Sequence, residues 1–212
     1  MQFSPKPDAV EIARSVQRRD IRAISHYTHI RSLALVLGHG ILSRAEMDKR
    51  GICYQRPPTT WGNEAKAAEF ANYICCGITR PWAMMGKEED PLAVVCLNPR
   101  LLWREGTIFS AEHAGWAHVH LADIEHQGTA DDFDALFASS TDGLPSPTWA
   151  DVLVYRIIPL ADFYRVYFAT DDERKLARDL CASVQLPDGR LALNVIPFAT
   201  RPSIFPSFRR EG

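Results

Sequence analysis

The sequence lacks the segments and motifs that mark several common protein classes. No apolar run in the 212 residues approaches the ~20 residues of a membrane-spanning helix. The N-terminal stretch mixes proline with charged residues and has no apolar centre, so we expect no secretory signal, a cytoplasmic location and no membrane partner. The GxGxxG and GxxxxGK[ST] motifs are missing, which argues against a Rossmann dinucleotide site and a P-loop.

Motifs of the common metal and serine enzymes are missing as well. The five cysteines are odd in number and form no CxxC pair, so we expect buried, reduced thiols. There is no HExxH and no GxSxG. His118 and His120, two residues apart, would share one face of a strand and could both face an ion. A metal-dependent hydrolase built on them and His113 is therefore one alternative.

Neither sign of charge dominates the chain. The 24 basic and 26 acidic side chains give a net charge of -2, which argues against the chain-wide basic field of histone-like binders. Arginines and lysines nevertheless cluster at 44–56, at 100–104 and towards the C-terminus. An enzyme that acts on nucleic acid needs only one basic face, so charge leaves the substrate open.

Hydrophobic patterning predicts short strands between unlike helices. We predict a helix within the N-terminal segment 1–22, a functional or mobile loop with at most one helical turn over 43–62, and an extended edge piece over 191–208. Further helices are predicted over 30–37, 63–71, 123–137 and 171–183, and strands over 24–29, 73–76, 92–97, 152–158 and 163–168. This irregular order indicates an α+β fold, which we expect to form a single domain over 1–212.

Two segments carry candidate chemistry. On a strand, His26 and Thr28 point to one face, where an imidazole and a hydroxyl can hydrogen-bond ribose hydroxyls or a carboxamide. Asp151 opens a buried strand, where a carboxylate can stabilise developing positive charge. The alternatives are a solvated strand end for the first segment and a turn-capping or solvated carboxylate for the second.

Two more segments have both a functional and a structural interpretation. Arg80, Trp82 and Met84 offer a guanidinium, an aromatic ring and a thioether, which could form a wall for a flat ring or a base. Core packing explains them equally well. His113 lies in a polar turn, which could equally be an ordinary surface turn.

Four segments, in this order, resemble the DarT family of NAD-dependent ADP-ribosyltransferases, which modify nucleic-acid bases. They are His26-Tyr27-Thr28-His29-Ile30 leading to Leu33 and Gly40, Tyr73 followed by Thr79-Arg80-Pro81-Trp82-Ala83-Met84, Phe109-Ser110-Ala111-Glu112-His113, and Ala150-Asp151-Val152-Leu153-Val154-Tyr155 before Pro159. The resemblance runs from about residue 24 to residue 168. No single segment is specific, whereas four in the family's order are.

The resemblance implies an ADP-ribosyltransferase-like fold, a split pair of small β-sheets with flanking helices and an NAD cleft. NAD would be the co-substrate, with no metal, and it would be held by His26, Tyr27, Thr28, Ser32 and Tyr73. The implied catalytic residues are Asp151, Arg50 and His113, with Arg44 and Arg56 as alternatives to Arg50. The implied contacts to the substrate base are Arg80, Trp82, Met84 and Arg56.

The implied function is transfer of ADP-ribose from NAD to a base in single-stranded DNA or RNA, as a toxin–antitoxin or antiphage effector neutralised by an antitoxin protein. Two positions depart from the family: Ser32 stands where an Asn is expected and Asp151 where a Glu is expected. Aspartate is one methylene shorter, and small misplacements of a catalytic group can cost ~10²-fold in rate. The cleft could have closed to suit Asp151, the enzyme could be weakened, or the chain could be a nucleotide- or nucleic-acid-binding relative.

Overall fold

The computed structural model describes residues 4–53, 64–78, 91–140, 144–147 and 149–205. Its nine strands are β1 (Ile24–His29), β2 (Ile41–Leu42), β3 (Tyr73–Ile78), β4 (Leu92–Leu97), β5 (Ile108–Ser110), β6 (Asp151–Tyr155), β7 (Ile157–Ile158), β8 (Phe163–Phe168) and β9 (Phe198–Thr200). Seven of them form one sheet in the order β5-β6-β3-β1-β4-β8-β9, in which only β8 and β9 run parallel. A small second sheet pairs β2 with β7. The predicted α+β class is confirmed.

Helices and turns lie on both faces of the large sheet. The α-helices are α1 (Ala9–Arg18), α2 (Leu33–His39), α3 (Arg44–Arg50), α4 (Glu64–Glu69), α5 (Leu121–Ile124), α6 (Ala130–Ala135) and α7 (Asp171–Cys181). Buried side chains of α1, α2, α6 and α7 join the larger apolar cluster on one face, which includes Val95 and Val152. A smaller cluster on the other face contains Tyr27, Leu153 and Phe205. Within the described ranges, every helix is too short or too polar to cross a lipid bilayer.

The predicted strands at 24–29, 92–97 and 163–168 form where the sequence places them. All six residues of β4 are apolar because β4 lies inside the sheet, between β1 and β8. Cys75, Cys76 and Cys181 are buried thiols as predicted, whereas Cys53 is exposed just beyond the end of α3.

The segment 43–62 was predicted as a loop with at most one helical turn, but its first part is the seven-residue helix α3. Ser43 caps the helix by accepting a hydrogen bond from the amide of Glu46, and Gly51 ends it with φ of 64°, in the left-handed region that favours glycine. The arginine, proline and threonine content of the whole segment favoured a loop over these cap signals. Residues 54–63 lie outside the described ranges, so the loop itself stays a prediction.

The predicted strand 152–158 is broken in two. Arg156 has a φ of 63°, which turns the chain out of β6, so that Ile157 and Ile158 pair with β2 in the second sheet. The strand β5 was not predicted because three residues are too few to show alternation. The predicted helix over 123–137 is two short helices, α5 and α6, and the predicted edge piece over 191–208 contains β9 between two 3-10 turns.

Candidate active site

The large sheet opens into a fork between its two central strands. β1 pairs with β4 along its whole length and β3 pairs with β6 over five residues. β1 and β3 pair with each other only at Ile24–Ile78 and Ser25–Gly77. Beyond Ser25 the Nδ1 of His26 lies 2.9 Å from the carbonyl oxygen of Cys75. A side chain thus bridges the strands where the backbone ladder stops. The resemblance implied a split pair of small sheets, whereas the structure has one seven-stranded sheet that opens here and a separate two-stranded sheet.

Asp151 lies at the closed end of this fork. It stands in the row Ser25–Gly77–Asp151, which contains the last backbone pair between β1 and β3. It is the first residue of β6, paired with Gly77 on one side and Ser110 on the other, and it is 0% exposed. Its Oδ2 accepts two hydrogen bonds, both of 2.8 Å, from the His113 imidazole and the Ala114 amide. Its Oδ1 is buried and has no hydrogen-bond partner among the described residues. Because buried polar atoms are normally paired, an orphaned carboxylate oxygen points to a functional role.

His113 is positioned by the turn that follows β5. The hydroxyl of Ser110 donates to the carbonyl of Glu112 at 2.6 Å, which tightens the turn, and the Trp116 amide bonds the His113 carbonyl at 3.0 Å. The Trp116 ring stands edge-on to the imidazole at 6.5 Å. The side chain of His113 is 14% exposed and that of Asp151 is fully buried. His113 is therefore the member of this pair that reaches the surface.

A polar clamp holds this turn against α4. Lys66 is buried and bonds both Glu69, at 3.0 Å, and the carbonyl of Val119. Glu69 in turn accepts a 2.6 Å bond from the amide of Leu121. Burial alone would raise the pKa of Glu69, but these hydrogen bonds and the Lys66 charge hold it below its ordinary value. The carboxylate is therefore ionised, and together with Lys66 it holds Val119 and Leu121, which follow the His113 turn, against α4.

The register of the sheet distributes the predicted NAD-binding residues over two faces. Directly paired residues share a face, so Asp151 lies on the same side as Gly77 and Ser25. Tyr27, two residues after Ser25, shares that face, whereas His26 and Thr28 alternate to the other. Thr28 is buried beside Ala93. His26 reaches the fork only through its bond to the Cys75 carbonyl.

His26 is held as a neutral imidazole with a defined tautomer. Burial lowers its pKa below the ordinary value, and the bond to the Cys75 carbonyl offsets this only in part. Because a carbonyl can only accept, Nδ1 carries the proton that it donates. In the neutral ring Nε2 is then an acceptor, suited to a ribose hydroxyl or an amide N–H.

Arg50 is not brought to Asp151. Its guanidinium lies 3.4 Å from the buried carboxylate of Glu46, which also takes a 2.7 Å bond from Arg156. Burial alone would raise the pKa of Glu46, but the bond and charge of Arg156, together with Lys49 and Arg50, keep it low. Arg156 follows β6 at the end opposite Asp151. The three side chains join α3 to that end of the sheet.

The remaining predicted residues fall in three groups. Ser32 is buried at the start of α2. Tyr73 is half-buried on the Asp151 face and stands edge-on to Tyr155 at 5.6 Å, and burial raises its pKa. Arg56, Arg80, Trp82 and Met84 lie outside the described residues, so their roles stay predictions.

The histidine pair proposed for a metal is separated. Residues 118–120 lie in a loop rather than a strand; His118 Nε2 is 3.0 Å from Glu112, and His120 Nδ1 is 3.4 Å from Glu69. His113 faces Asp151 instead. Across the ranges that the structure describes, no three His, Cys, Asp or Glu side chains are grouped to hold a metal ion.

Sequence reasoning missed two contributors to the site. The backbone amide of Ala114 bonds Asp151, and no side-chain pattern encodes that contact. Trp116 and Trp149 lie with ring centroids 5.9 Å apart beside the pair. Their positions next to His113 and Asp151 in sequence were the available signal, because exposed tryptophans near polar candidates are typical of binding surfaces.

Comparison with solved structures finds similar folds, whereas comparison by sequence finds no match. No protein-family model matches this chain, and no curated protein matches it by sequence. Thermus sp. 2.9 DarT in complex with ADP-ribosylated ssDNA is similar with a TM-score of 0.56 and 15% identity, over 97% of this chain and 100% of that one. The same protein in complex with carba-NAD+ gives 0.55 and 15%, over 88% and 99%.

Thermosipho africanus DarTG in complex with ADP-ribose gives a TM-score of 0.54 and 16% identity over 87% of this chain. The chain spans about half of that relative, 51% of its length. At 15–16% identity the likeness shows the architecture alone. The chain has the fold of the DarT ADP-ribosyltransferases.

Proposed function

We propose that this chain transfers ADP-ribose from NAD to a base in single-stranded DNA, with the fork between β1 and β3 as its active site. The observation that carries the proposal is the buried Asp151 carboxylate, held by His113 and Ala114 at the closed end of the fork. The likeness of the fold to DarT structures that contain carba-NAD+ or ADP-ribosylated ssDNA supports this choice of substrates.

The charge of Asp151 suits the first half of this chemistry. When nicotinamide leaves NAD, positive charge develops on the ribose carbon to which it was attached. A carboxylate shielded from water stabilises such charge far more than a solvated one. Asp151 is fully buried and keeps one oxygen without a partner among the described residues. Tyr27, on the face of Asp151, would orient the ribose. His26, which alternates to the other face, would contact NAD through Nε2 only at the opening of the fork, where it bridges to Cys75.

His113 suits the second half of the reaction, in which the base attacks the ribose. A base nitrogen that attacks the ribose must lose its proton, and a histidine within reach of it can take that proton through Nε2. Nδ1–H donates to Asp151, which fixes the tautomer and stabilises the imidazolium that forms. Asp151 is one methylene shorter than the expected glutamate and does not reach the surface. In this arrangement the imidazole of His113, rather than the carboxylate bonded to it, would contact the acceptor base.

The acceptor base must be unstacked before its edge can be reached, which favours a single strand over a duplex. Arg56, Arg80, Trp82 and Met84 are our candidates for holding it, with Arg50 moving from Glu46 to the NAD phosphates on binding. An RNA acceptor is the alternative within this proposal. By family resemblance, the chain would act as a toxin or antiphage effector inside the cell, with a neutralising antitoxin as partner.

A second candidate function is a nucleotide- or nucleic-acid-binding relative that has lost most of its catalysis. Two observations favour it: Asp151 is shorter than the expected glutamate and fully buried, and Arg50 is engaged by Glu46. Calorimetry with NAD separates the two functions, since binding without nicotinamide release indicates the non-catalytic relative.

The experiment is mass spectrometry of mixed single-stranded DNA and RNA oligonucleotides after incubation with the protein and NAD. We expect a DNA oligonucleotide to gain the mass of one ADP-ribose, with one nicotinamide released for each transfer. A matching gain on RNA alone would move the substrate to RNA. Unmodified oligonucleotides with intact NAD would refute the transferase.

A further inference from the structure

Two arginines flank one tyrosine at the edge of the large sheet distant from Asp151. The guanidinium carbons of Arg165 and Arg201 lie 5.7 Å and 5.6 Å from the centre of the Tyr167 ring. Nη1 of Arg165 also donates to the Tyr167 hydroxyl at 3.3 Å. Both arginines are exposed and the ring is half-buried. We call these three residues the Arg–Tyr–Arg cluster.

Within the described ranges the two cations have no counter-charge. Neither Arg165 nor Arg201 forms an ion pair with a carboxylate there, whereas Arg44, Arg100 and Arg174 each do. Both guanidiniums act on one neighbour: burial raises the pKa of the Cys96 thiol to about 11, and the two positive charges oppose that rise. Like charges gathered around one ring repel each other, and an anion bound between them would relieve that repulsion.

The cluster shares a face with the candidate active site. Asp151 pairs with Gly77, which pairs with Ser25, and the row continues through Cys96 to Arg165. Tyr167 lies two residues further along β8 and therefore on the same side. Four interstrand spacings of about 4.8 Å separate Asp151 from Arg165, or roughly 19 Å. A short run of nucleotides spans this distance, since even a stacked strand rises about 3.4 Å per nucleotide.

We infer that the Arg–Tyr–Arg cluster is a binding subsite for single-stranded nucleic acid, in which the two guanidiniums take backbone phosphates and the Tyr167 ring stacks on a base. Guanidinium forks match phosphate oxygens, and aromatic rings stack on bases without regard to sequence. The choice of nucleic acid as ligand rests on the proposed function. The subsite would hold the strand away from the reacting base and so contribute affinity rather than chemistry.

The test measures binding of a fluorescently labelled single-stranded DNA oligonucleotide by anisotropy, without NAD, at several salt concentrations. In Arg165→Ala/Arg201→Ala the slope of log affinity against log salt should fall by about 1.4, since each phosphate contact contributes ~0.7 for single strands. Tyr167→Ala should weaken binding roughly 5- to 150-fold, while Tyr167→Phe, which keeps the ring, should retain most of the affinity.

Arg22→Ala/Arg190→Ala is the matched control, because it removes the same charge from two exposed arginines that already pair with Asp20 and Asp188. It should leave the salt slope unchanged, and thermal melting should show all variants folded. If the affinity and slope of the cluster variants equal those of the control, the inference is overturned. A raised KM for NAD with unchanged DNA affinity would also overturn it, by assigning the cluster to the NAD pyrophosphate.

These outcomes are distinct from failure of the proposed function. Binding is measured without NAD and requires no turnover, so a catalytically inactive protein could still show the cluster effect. Conversely, if the protein is an active transferase but its cluster variants bind DNA like wild type, the proposed function stands and the subsite is refuted.

Discussion

Replacing Asp151 with asparagine isolates the charge that the candidate site depends on. The side chains have nearly the same shape, so the buried position stays filled, but the carboxylate that accepts from His113 and Ala114 becomes neutral. Losing one preorganised electrostatic contact to developing charge typically lowers kcat by about 10²–10³-fold. We therefore expect Asp151→Asn to release nicotinamide from NAD, in the presence of a single-stranded oligonucleotide, about 10²–10³-fold more slowly.

The stability of the same variant should change little by comparison. Hydrogen bonds to a charged partner contribute about 1.5–3 kcal/mol each and neutral ones about 0.5–1.5 kcal/mol, so two weakened bonds lose roughly 2 kcal/mol. Removing a buried charge returns part of this loss. The midpoint temperature of thermal unfolding should therefore fall by a few degrees only, since about 1 kcal/mol corresponds to ~2–4 °C for a chain of this size.

Asp162→Asn is the matched control. Asp162 is a second aspartate that is almost fully buried, and it pairs with Arg100 beside the start of β8, away from the fork. Its variant should lose stability while its nicotinamide release stays within about 3-fold of wild type, because distant sites act independently. Equal rates for Asp151→Asn and wild type, or equal losses of rate in both variants, would show that the charge of Asp151 is not needed for nicotinamide release.

Four further outcomes are expected. His113→Ala should slow transfer by about 10²–10⁴-fold, as for loss of a general base, while calorimetry shows NAD binding preserved. Because burial holds the pKa of His26 below 6.5, the unfolded chain binds protons that the folded one does not. The free energy of unfolding should therefore rise with pH up to about 6.5, and urea titrations of His26→Gln should show a flatter rise. Asp151→Glu inserts a methylene into a fully buried position and should cost about 1–3 kcal/mol in urea denaturation. Thr170→Ala removes the capping box that Thr170 forms with Glu173 at the start of α7 and should cost about 0.5–2 kcal/mol by the same assay, with activity retained.

The central part of the fold could be predicted from sequence because its signals are local. β1, β4 and β8 follow from runs of apolar or alternating residues bounded by polar ones. The break at Arg156 could not be predicted, since a positive φ at arginine is costly, and the residue is held by bonds to Glu46, over a hundred residues away in sequence. Tertiary contacts override local preference there.

The candidate site, too, could be predicted from local sequence only in part. Asp151 and His113 were identified as separate residues by type and family order, and the structure brings them to 2.8 Å. That distance depends on the pairing of β5 with β6, and β5 has only three residues. His26 and Thr28 lie on the face opposite to Asp151, and this placement depends on strand register. Register is set by the whole sheet and cannot be derived from a four-residue motif.

The most direct measurement is a crystal structure of the protein soaked with carba-NAD, a form of NAD that resists cleavage. We expect the nicotinamide riboside end in the fork between β1 and β3, with the ribose beside Tyr27 and the reacting carbon beside Asp151 and His113. Carba-NAD bound elsewhere on the chain, with the Asp151–His113 pair uncontacted, would show that the fork is not the active site.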